Sequence, residues 1–477
     1  MLDGTIRVFL AEALILPTGL LTAAFLTRRL GPEGYGLLTL ASVLVAWVEW
    51  SITSVFARAT IKFVGQAEDW RPIGTLVMRL HLGVSSTAAL AFWFLATPLA
   101  TLLNEPVLSI YLRLFALDIP LFSLAHAHQH ILIGIGAFRQ RALASAGRWI
   151  ARLCFIVMFV ELGFSVPGAI LGSIGASLVE LIIGRCTVRP SPFHASHVSV
   201  QRLFVEAAPL FLFALSMRLY DKLDVFMLKV LGGTAGQVGL YGAAQNLSLV
   251  PSLFALSFSP LLLSTLSHML YTGNDDRAKA IGRNAMRLII GLVPFAGMTA
   301  GASPEIVNLI FGPEFLPSAT LLSLLIFSSL ALALISVTTV ILTAIGKPTW
   351  TFGLTGPLLP LALAGHLVLI PWLGMLGAAL VTTLGAIFGA LASVFAVYQI
   401  WRIFPPFGTL GRSALIGGMA YVLAVIWPAS GSVLWVKLSL LSFIIGFTFL
   451  VLGEFSRSEI GQIRTMLGWQ MGQKHEP

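Results

Sequence analysis

The chain has 477 residues, of which 57% are hydrophobic and only 10% charged. A soluble domain carries about 25% charged residues, so this composition excludes an ordinary soluble protein and marks an integral membrane protein. The formal charge of +9 is no nucleic-acid signal, because the basic residues fill short gaps between apolar runs, where a membrane protein keeps its cytoplasmic positives.

A bilayer span needs about 20 apolar residues. The runs predict an all-α polytopic membrane protein with fourteen transmembrane helices. The first six are expected at 5–27, 37–57, 76–101, 108–133, 148–164 and 167–187. The next six are expected at 204–230, 239–267, 285–310, 317–344, 350–370 and 374–400. Two more follow at 411–428 and 433–453. The first run is too long for a signal-peptide core and ends in no small-residue cleavage site, so it reads as a retained span.

The chain divides accordingly. Residues 1–187 form an N-terminal six-helix lobe, 188–203 a cytoplasmic connector with Pro190 and Pro192, and 204–400 a second six-helix lobe. Residues 401–453 hold two appended helices. Residues 454–477 form a tail whose Phe455, Ile460, Ile463, Leu467 and Trp469 fall at helical spacing, which suits an amphipathic helix on the inner surface. With the N-terminus inside, 22 of the 29 Lys and Arg fall in inner segments, so both termini are expected in the cytoplasm.

The two lobes repeat each other. Gly36-Leu37 corresponds to Gly239-Leu240 at an offset of 203, and Gly134-Ile135-Gly136 to Ala344-Ile345-Gly346 at 210. A repeat of six helices keeps its orientation, which predicts two pseudo-symmetric six-helix bundles related about the membrane normal, with a site between them.

The segment 216–251 carries the most unusual chemistry. Arg218, Asp221, Lys222 and Asp224 interrupt an apolar helix. Charges at the bilayer centre cost about 2.5–3.5 kcal/mol each, while large aliphatic residues return about 0.3–0.6. Such a helix is stable only if its polar side faces protein or a water-filled cavity. Either Arg218 and Asp221 simply pair, or the cluster walls a substrate pathway. Arg58, Arg113, Arg218 and Lys222 are candidate anion binders, Arg through bidentate bonds and Lys as a point charge. Gln245 and Asn246 are candidates for sugar hydroxyls. Glu12, Glu49 and Asp118 are candidate ion-coupling carboxylates, with a carboxylate satisfied by a neighbouring helix as the alternative.

Several chemistries are not expected. Gly346-Lys347-Pro348 is the only GK pair and lacks the rest of a P-loop. HExxH and GxSxG are missing, so no enzyme is expected. His126, His128 and His130 alternate, which suits no metal spacing. Cys154 and Cys186 form no CxxC.

Phe25-Leu26-Thr27-Arg28-Arg29-Leu30-Gly31-Pro32-Glu33-Gly34-Tyr35-Gly36 resembles the first-loop signature of the polysaccharide biosynthesis (Wzx-type) flippases. Asp221-Lys222-Leu223-Asp224-Val225-Phe226-Met227-Leu228 with Val238-Gly239-Leu240-Tyr241-Gly242-Ala243-Ala244 resembles their middle segment, and Gly346-Lys347-Pro348 their turn after the tenth helix. These proteins belong to the multidrug/oligosaccharidyl-lipid/polysaccharide (MOP) exporter superfamily. The resemblance implies a V-shaped pair of bundles that moves a polyprenyl-diphosphate-linked oligosaccharide from the inner to the outer leaflet of the cytoplasmic membrane. No cofactor is implied, except H+ or Na+ as a coupling ion. The implied partners are the lipid-linked substrate, membrane lipids and polymerase or glycosyltransferase machinery, with no nucleic acid. A drug/cation antiporter of the same superfamily is the alternative; it predicts an acidic cavity and usually twelve helices. A non-transport scaffold for glycan assembly would tolerate loss of every intramembrane charge.

Overall fold

The computed structural model describes residues 14–190, 219–220 and 222–454, apart from a few side chains. Among the described residues the secondary structure is helical, without strands. The first element, α1 (Ile15–Gln66), is 52 residues long. Its helical geometry fails at Gly31, with φ 64° and ψ 179°, a conformation that glycine adopts without a Cβ penalty. Pro32 follows and cannot donate the next backbone hydrogen bond. The chain folds back there, so that residues 16–26 and 35–46 line one cavity. Where the sequence suggested a loop of several residues, one glycine makes the turn.

The rest of the first half is α2 (Arg71–Leu102), α3 (Leu108–Ala116), α4 (Asp118–Gly134), α5 (Phe138–Phe159) and α6 (Ser165–Thr187). A π-helical turn at Val160–Phe164 contains Gly163 at φ 91° and joins α5 to α6. These two helices pack as a tight antiparallel pair, because a Cβ on Gly172 would stand 2.6 Å from Ile156 and one on Gly147 2.5 Å from Ile183. Small residues allow such backbone approach inside a membrane. The fifth helix thus begins at Phe138, ten residues before its expected start, because its arginines lie along the helix and not before it.

The second half comprises α7 (Leu223–Val230), α8 (Ala235–Ser248), α9 (Val250–Tyr271), α10 (Asp275–Ile290), α11 (Val293–Gly301) and α12 (Ser303–Phe311). After a 3-10 turn at Pro313–Phe315 come α13 (Ser318–Ala344), α14 (Pro348–Thr355), α15 (Leu358–Leu373) and α16 (Met375–Trp401). The appended pair is α17 (Phe407–Ile426) and α18 (Val433–Val451). Thr234 caps α8, accepting from Gln237 N–H, while Gln237 accepts from Thr234 N–H. This capping box starts the helix at a defined residue. The expected ninth helix is broken, with a 69° bend between Asp275–Gly301 and Ser303–Phe311.

Eight helices among the described residues are long and apolar enough to cross a bilayer, or nine counting that bent pair. Two of the eight, 51 and 50 residues long, are the folded-back hairpins at Gly31 and Gly163 and supply two spans each. Phe94, Trp372 and Phe443 are 71, 87 and 69% exposed, which is stable only against lipid or a partner. The protein is therefore an all-α polytopic membrane protein, and among the described residues two halves of like helix order are followed by two further helices.

Alternate turns lie at opposite ends of the bundle, which are named here by Gly31 and Gly136. At the Gly31 end one apolar core contains residues of both halves, from Leu26 and Leu40 to Tyr241 and Phe315. At the Gly136 end each half has its own core, one around Val64, Val77 and Ile131, the other around Leu266, Ile341 and Val397.

Candidate functional site

A cavity of about 360 Å³ lies between the halves. The two arms of α1 wall it with Thr22, Tyr35, Thr39 and Ser42, and α5 contributes Trp149 and Arg152. The second half contributes Lys222, Asn246 and Leu249. Two cations thus enter from opposite halves, and the described residues of the lining include no carboxylate. Arg152 stands 14 residues inside α5, about 20 Å from its start at 1.5 Å per residue. Asn246 Nδ2 donates to Tyr35 Oη at 2.7 Å, a bond from one half to the other.

Lys222 connects this cavity to a buried network. Its Nζ donates to Gln245 Oε1 at 2.6 Å. Gln245 Nε2 donates to Asp224 Oδ2 at 3.1 Å, and Tyr241 Oη donates to the same oxygen at 2.7 Å. Thr382 Oγ1 on α16 donates to it at 3.3 Å, and the Val225 N–H donates to Oδ1 at 2.8 Å. Asp224 is only 2% exposed, so these donors replace the water that a buried carboxylate needs.

A second polar cluster fills the first half. Glu49 and Asp118 are 6 and 3% exposed and share the electrostatic surroundings of Arg148 and Arg152. Glu49 Oε1 and Asp118 Oδ1 have no hydrogen-bond partner among the described residues. Glu180 accepts from Gln129 Nε2 and lies 3.4 Å from Arg148 Nε. The Arg148 guanidinium also covers the Phe122 ring, 4.6 Å from its centroid. Two buried carboxylates with free oxygens beside the cavity cation Arg152 are chemically equipped to take up a proton or a small cation.

The halves meet at the Gly31 end with little room. A Cβ on Gly36 would stand 1.8 Å from the Ala235 carbonyl oxygen, and one on Gly239 would stand 2.0 Å from the Pro32 carbonyl oxygen. Pro32 corresponds to Ala235, and Gly36 to Gly239, at the repeat offset of 203. The pseudo-twofold axis therefore passes between these helices. Lys229 Nζ pairs with Glu105 Oε1 at 2.8 Å, again between halves. Arg28 Nη2 donates to the Leu309 carbonyl at 2.5 Å and its Nε to the Ile310 carbonyl at 3.2 Å. Both carbonyls are in the last turn of α12, where a cation is favoured by the helix dipole.

Residues 25–320 match the family described as "Polysaccharide biosynthesis protein". The chain belongs to this family. It is 25% identical over 315 residues to the succinoglycan biosynthesis transport protein ExoT of Rhizobium meliloti (strain 1021), covering 64% of this chain and 62% of that protein. The match thus spans less than two thirds of that relative. The fold matches lipid II flippase MurJ in an inward closed conformation with a TM-score of 0.74 and 15% identity, over 98% of this chain and 100% of that one. It also matches a MOP superfamily transporter from Pyrococcus furiosus (TM-score 0.61, 15% identity, 84 and 95% coverage). A third match is the Vibrio cholerae MATE transporter VcmN in a bent form (TM-score 0.56, 16% identity, 87 and 97% coverage). The polysaccharide biosynthesis family member described here therefore has the MOP transporter fold.

Of the residues singled out from the sequence, the structure brings Lys222 and Asn246 into the cavity and places Gln245 and Asp224 directly behind them. Glu49 and Asp118 meet in the first half. Arg113 does not reach the cavity lining; its Nη2 donates to Thr97 Oγ1 at 2.9 Å on the neighbouring α2. Glu12, Arg218 and Asp221 lie outside the described residues, as do the Arg58 side chain and most of the connector and tail. Sequence reasoning missed Arg152, Tyr35 and Tyr241. In the sequence Arg152 follows Arg139, Arg141 and Arg148 and so reads as one more of the 22 inner-segment cations. Its signal was the spacing Trp149–Arg152, which puts an aromatic and a cation on one helical face.

Proposed function

We propose that this family member translocates a polyprenyl-diphosphate-linked oligosaccharide across the cytoplasmic membrane by alternating access of its two halves. The observation that carries this reading is the cavity between them, with Arg152 and Lys222 in its walls and no carboxylate among the described lining residues. A diphosphate asks for paired cations, and sugars ask for hydroxyl and amide groups such as those of Thr22, Thr39, Ser42 and Asn246. A cation exporter would ask for the opposite charge. The separate cores at the Gly136 end leave the halves room to part there, while the shared core closes the Gly31 end.

The Gly136 end is read as cytoplasmic, with both termini on that side. Arg71, Arg139, Arg141, Arg185, Arg283 and Lys347 support this, since they gather there as positive residues do at the inner surface. Glu49 and Asp118 are read as the coupling carboxylates, with H+ or Na+ as the ion. Polymerase or glycosyltransferase machinery is the partner expected to supply and use the cargo.

The test uses proteoliposomes containing a labelled polyprenyl-diphosphate oligosaccharide and a membrane-impermeant quencher. The wild-type protein is expected to expose label faster than protein-free vesicles. Arg152→Ala with Lys222→Ala should slow this at least about tenfold, since each lost charged contact is worth about 1.5–3 kcal/mol. An unchanged rate in the double variant would remove the cavity assignment. Uptake of a cationic dye by the same vesicles, with no movement of labelled lipid, would favour an antiporter.

A further inference from the structure

A second cavity lies away from the one between the halves. It measures about 540 Å³ and opens on the side of the first half, between α2, α4 and α6 near the Gly136 end. It shares no lining residue with the central cavity. Its walls are apolar, with Met78 and Leu82 on one side and Leu124, Leu181 and Ile182 on the others. Leu82 and Ile182 are 43 and 52% exposed, facing outward from the bundle. Arg185, Arg189 and His128 complete the lining. Arg185 lies in the last turn of α6, where its Nη1 donates to the Pro190 carbonyl, and Arg189 stands two residues past the helix end; both are exposed.

His128 gives the independent observation. It is 1% exposed and lines this groove. Its Nδ1 donates to the Leu124 carbonyl at 2.8 Å, so the neutral ring presents Nε2 as an acceptor. Nε2 has no partner among the described residues. A buried acceptor without a donor is costly unless a ligand or water supplies one. The backbone fixes this ring tightly, since a Cβ on Gly184 would stand 2.9 Å from His128 Cβ.

We infer that this groove holds one anionic glycerophospholipid of the surrounding bilayer. The phosphate sits between Arg185 and Arg189, a headgroup hydroxyl donates to His128 Nε2, and an acyl chain lies along Leu82, Leu124 and Ile182. Basic pockets between transmembrane helices near the membrane surface suit acidic headgroups, and each added cation there strengthens binding several-fold. The apolar floor distinguishes this ligand from a free phosphate, which would gain nothing from it. The groove's separation from the central cavity distinguishes a resident lipid from a transported one.

Native mass spectrometry of the purified full chain, titrated with phosphatidylglycerol or phosphatidylcholine, tests this. The wild-type protein is expected to retain one phosphatidylglycerol in preference to phosphatidylcholine. Arg185→Gln with Arg189→Gln should cut that preference about fivefold per arginine, whereas Arg185→Lys with Arg189→Lys should keep most of it. Ile182→Trp, a change on a lipid-facing surface that leaves the core alone, should weaken both lipids by filling the floor. His128→Leu should remove preference for hydroxylated headgroups over phosphatidic acid. Equal binding of both lipids, or a preference untouched by the glutamine pair in a protein that still elutes as a monodisperse peak, would overturn the proposal. A tighter response to polyprenyl phosphate than to phosphatidylglycerol would also overturn it, by making the groove a substrate site.

Discussion

Glu454 shows how one residue fastens the appended helices to the second bundle. It stands just after α18, outside the spans. Its Oε1 accepts from Arg287 Nε at 2.7 Å and from Thr409 Oγ1 at 2.5 Å, and its Oε2 from Arg412 Nη1 at 2.9 Å. Burial raises its carboxyl pKa, but the hydrogen bonds from Thr409, Arg287 and Arg412 outweigh that and leave it below the ordinary value. A lowered folded-state pKa means that the stabilisation is present at neutral pH. It is lost as pH falls from the unfolded carboxyl's range through the folded value. Glu454→Gln should therefore destabilise the protein by about 1–3 kcal/mol at neutral pH, read as a lower melting temperature in detergent. The gap between variant and wild type should shrink as pH falls below the ordinary carboxylate range, where the native carboxylate also takes a proton. A gap that stays constant with pH would show that the charge is not what matters. The site was only half legible at this scale. Lys222 and Asn246 were visible because they interrupt an apolar helix, where every charge needs a reason. Arg152 was not, because a fourth arginine after three others reads as one more cytoplasmic positive. Only the start of α5 at Phe138, directly after the turn at Gly136 (φ 74°), carries it into the bundle.

At the scale of elements, the crossing of α1 and α8 is the tightest contact between the halves. The internal repeat was readable in the sequence as matched glycines. That the matched residues touch each other was not, because a repeat offset says which positions are equivalent and nothing of where the axis lies. The structure places that axis through Gly36 and Gly239, and the reciprocal approach of each to the other helix's carbonyl explains why both are glycine. Gly36→Ala would put a methyl 1.8 Å from the Ala235 carbonyl oxygen, so the helices must separate. Overpacking of this kind costs about 1–3 kcal/mol or more. Gly19→Ala, on the same α1 with nothing within 4 Å of the new Cβ, is the matched control and should stay near wild type. Thermal unfolding of the two variants in one detergent checks this. Equal melting temperatures would mean that the helices do not rest against each other in solution. The broken ninth helix was illegible for a related reason: Pro294 and Pro304 start new helices at α11 and α12, but an apolar run hides such breaks from a reading that counts hydrophobic length.

At the scale of the molecule, the distribution of cores states which end is shut. One core crosses from half to half at the Gly31 end, and separate cores fill the halves at the Gly136 end. An alternating-access cycle must therefore break the Gly31 contacts at some step: the Tyr35–Asn246 bond, the Lys229–Glu105 pair and the glycine crossing. Thr39 and Gly242 offer a direct test, because they too are related by the offset of 203 and face each other across the crossing. A Cβ on Gly242 would lie 3.7 Å from Thr39 Cβ, within the Cβ separations that a disulfide accepts. Cysteine also removes the Thr39 Cγ2 that would crowd the new atom at 3.0 Å. With Cys154 and Cys186 changed to serine, Thr39→Cys with Gly242→Cys should oxidise readily and hold the Gly31 end closed. The oxidised protein should then lose nearly all movement of labelled lipid in the proteoliposome assay, and reductant should restore it. Each single-cysteine variant should be indifferent to both treatments. If the oxidised pair transports at the reduced rate, the Gly31 end does not open during the cycle, and the two halves must pass their cargo without parting there.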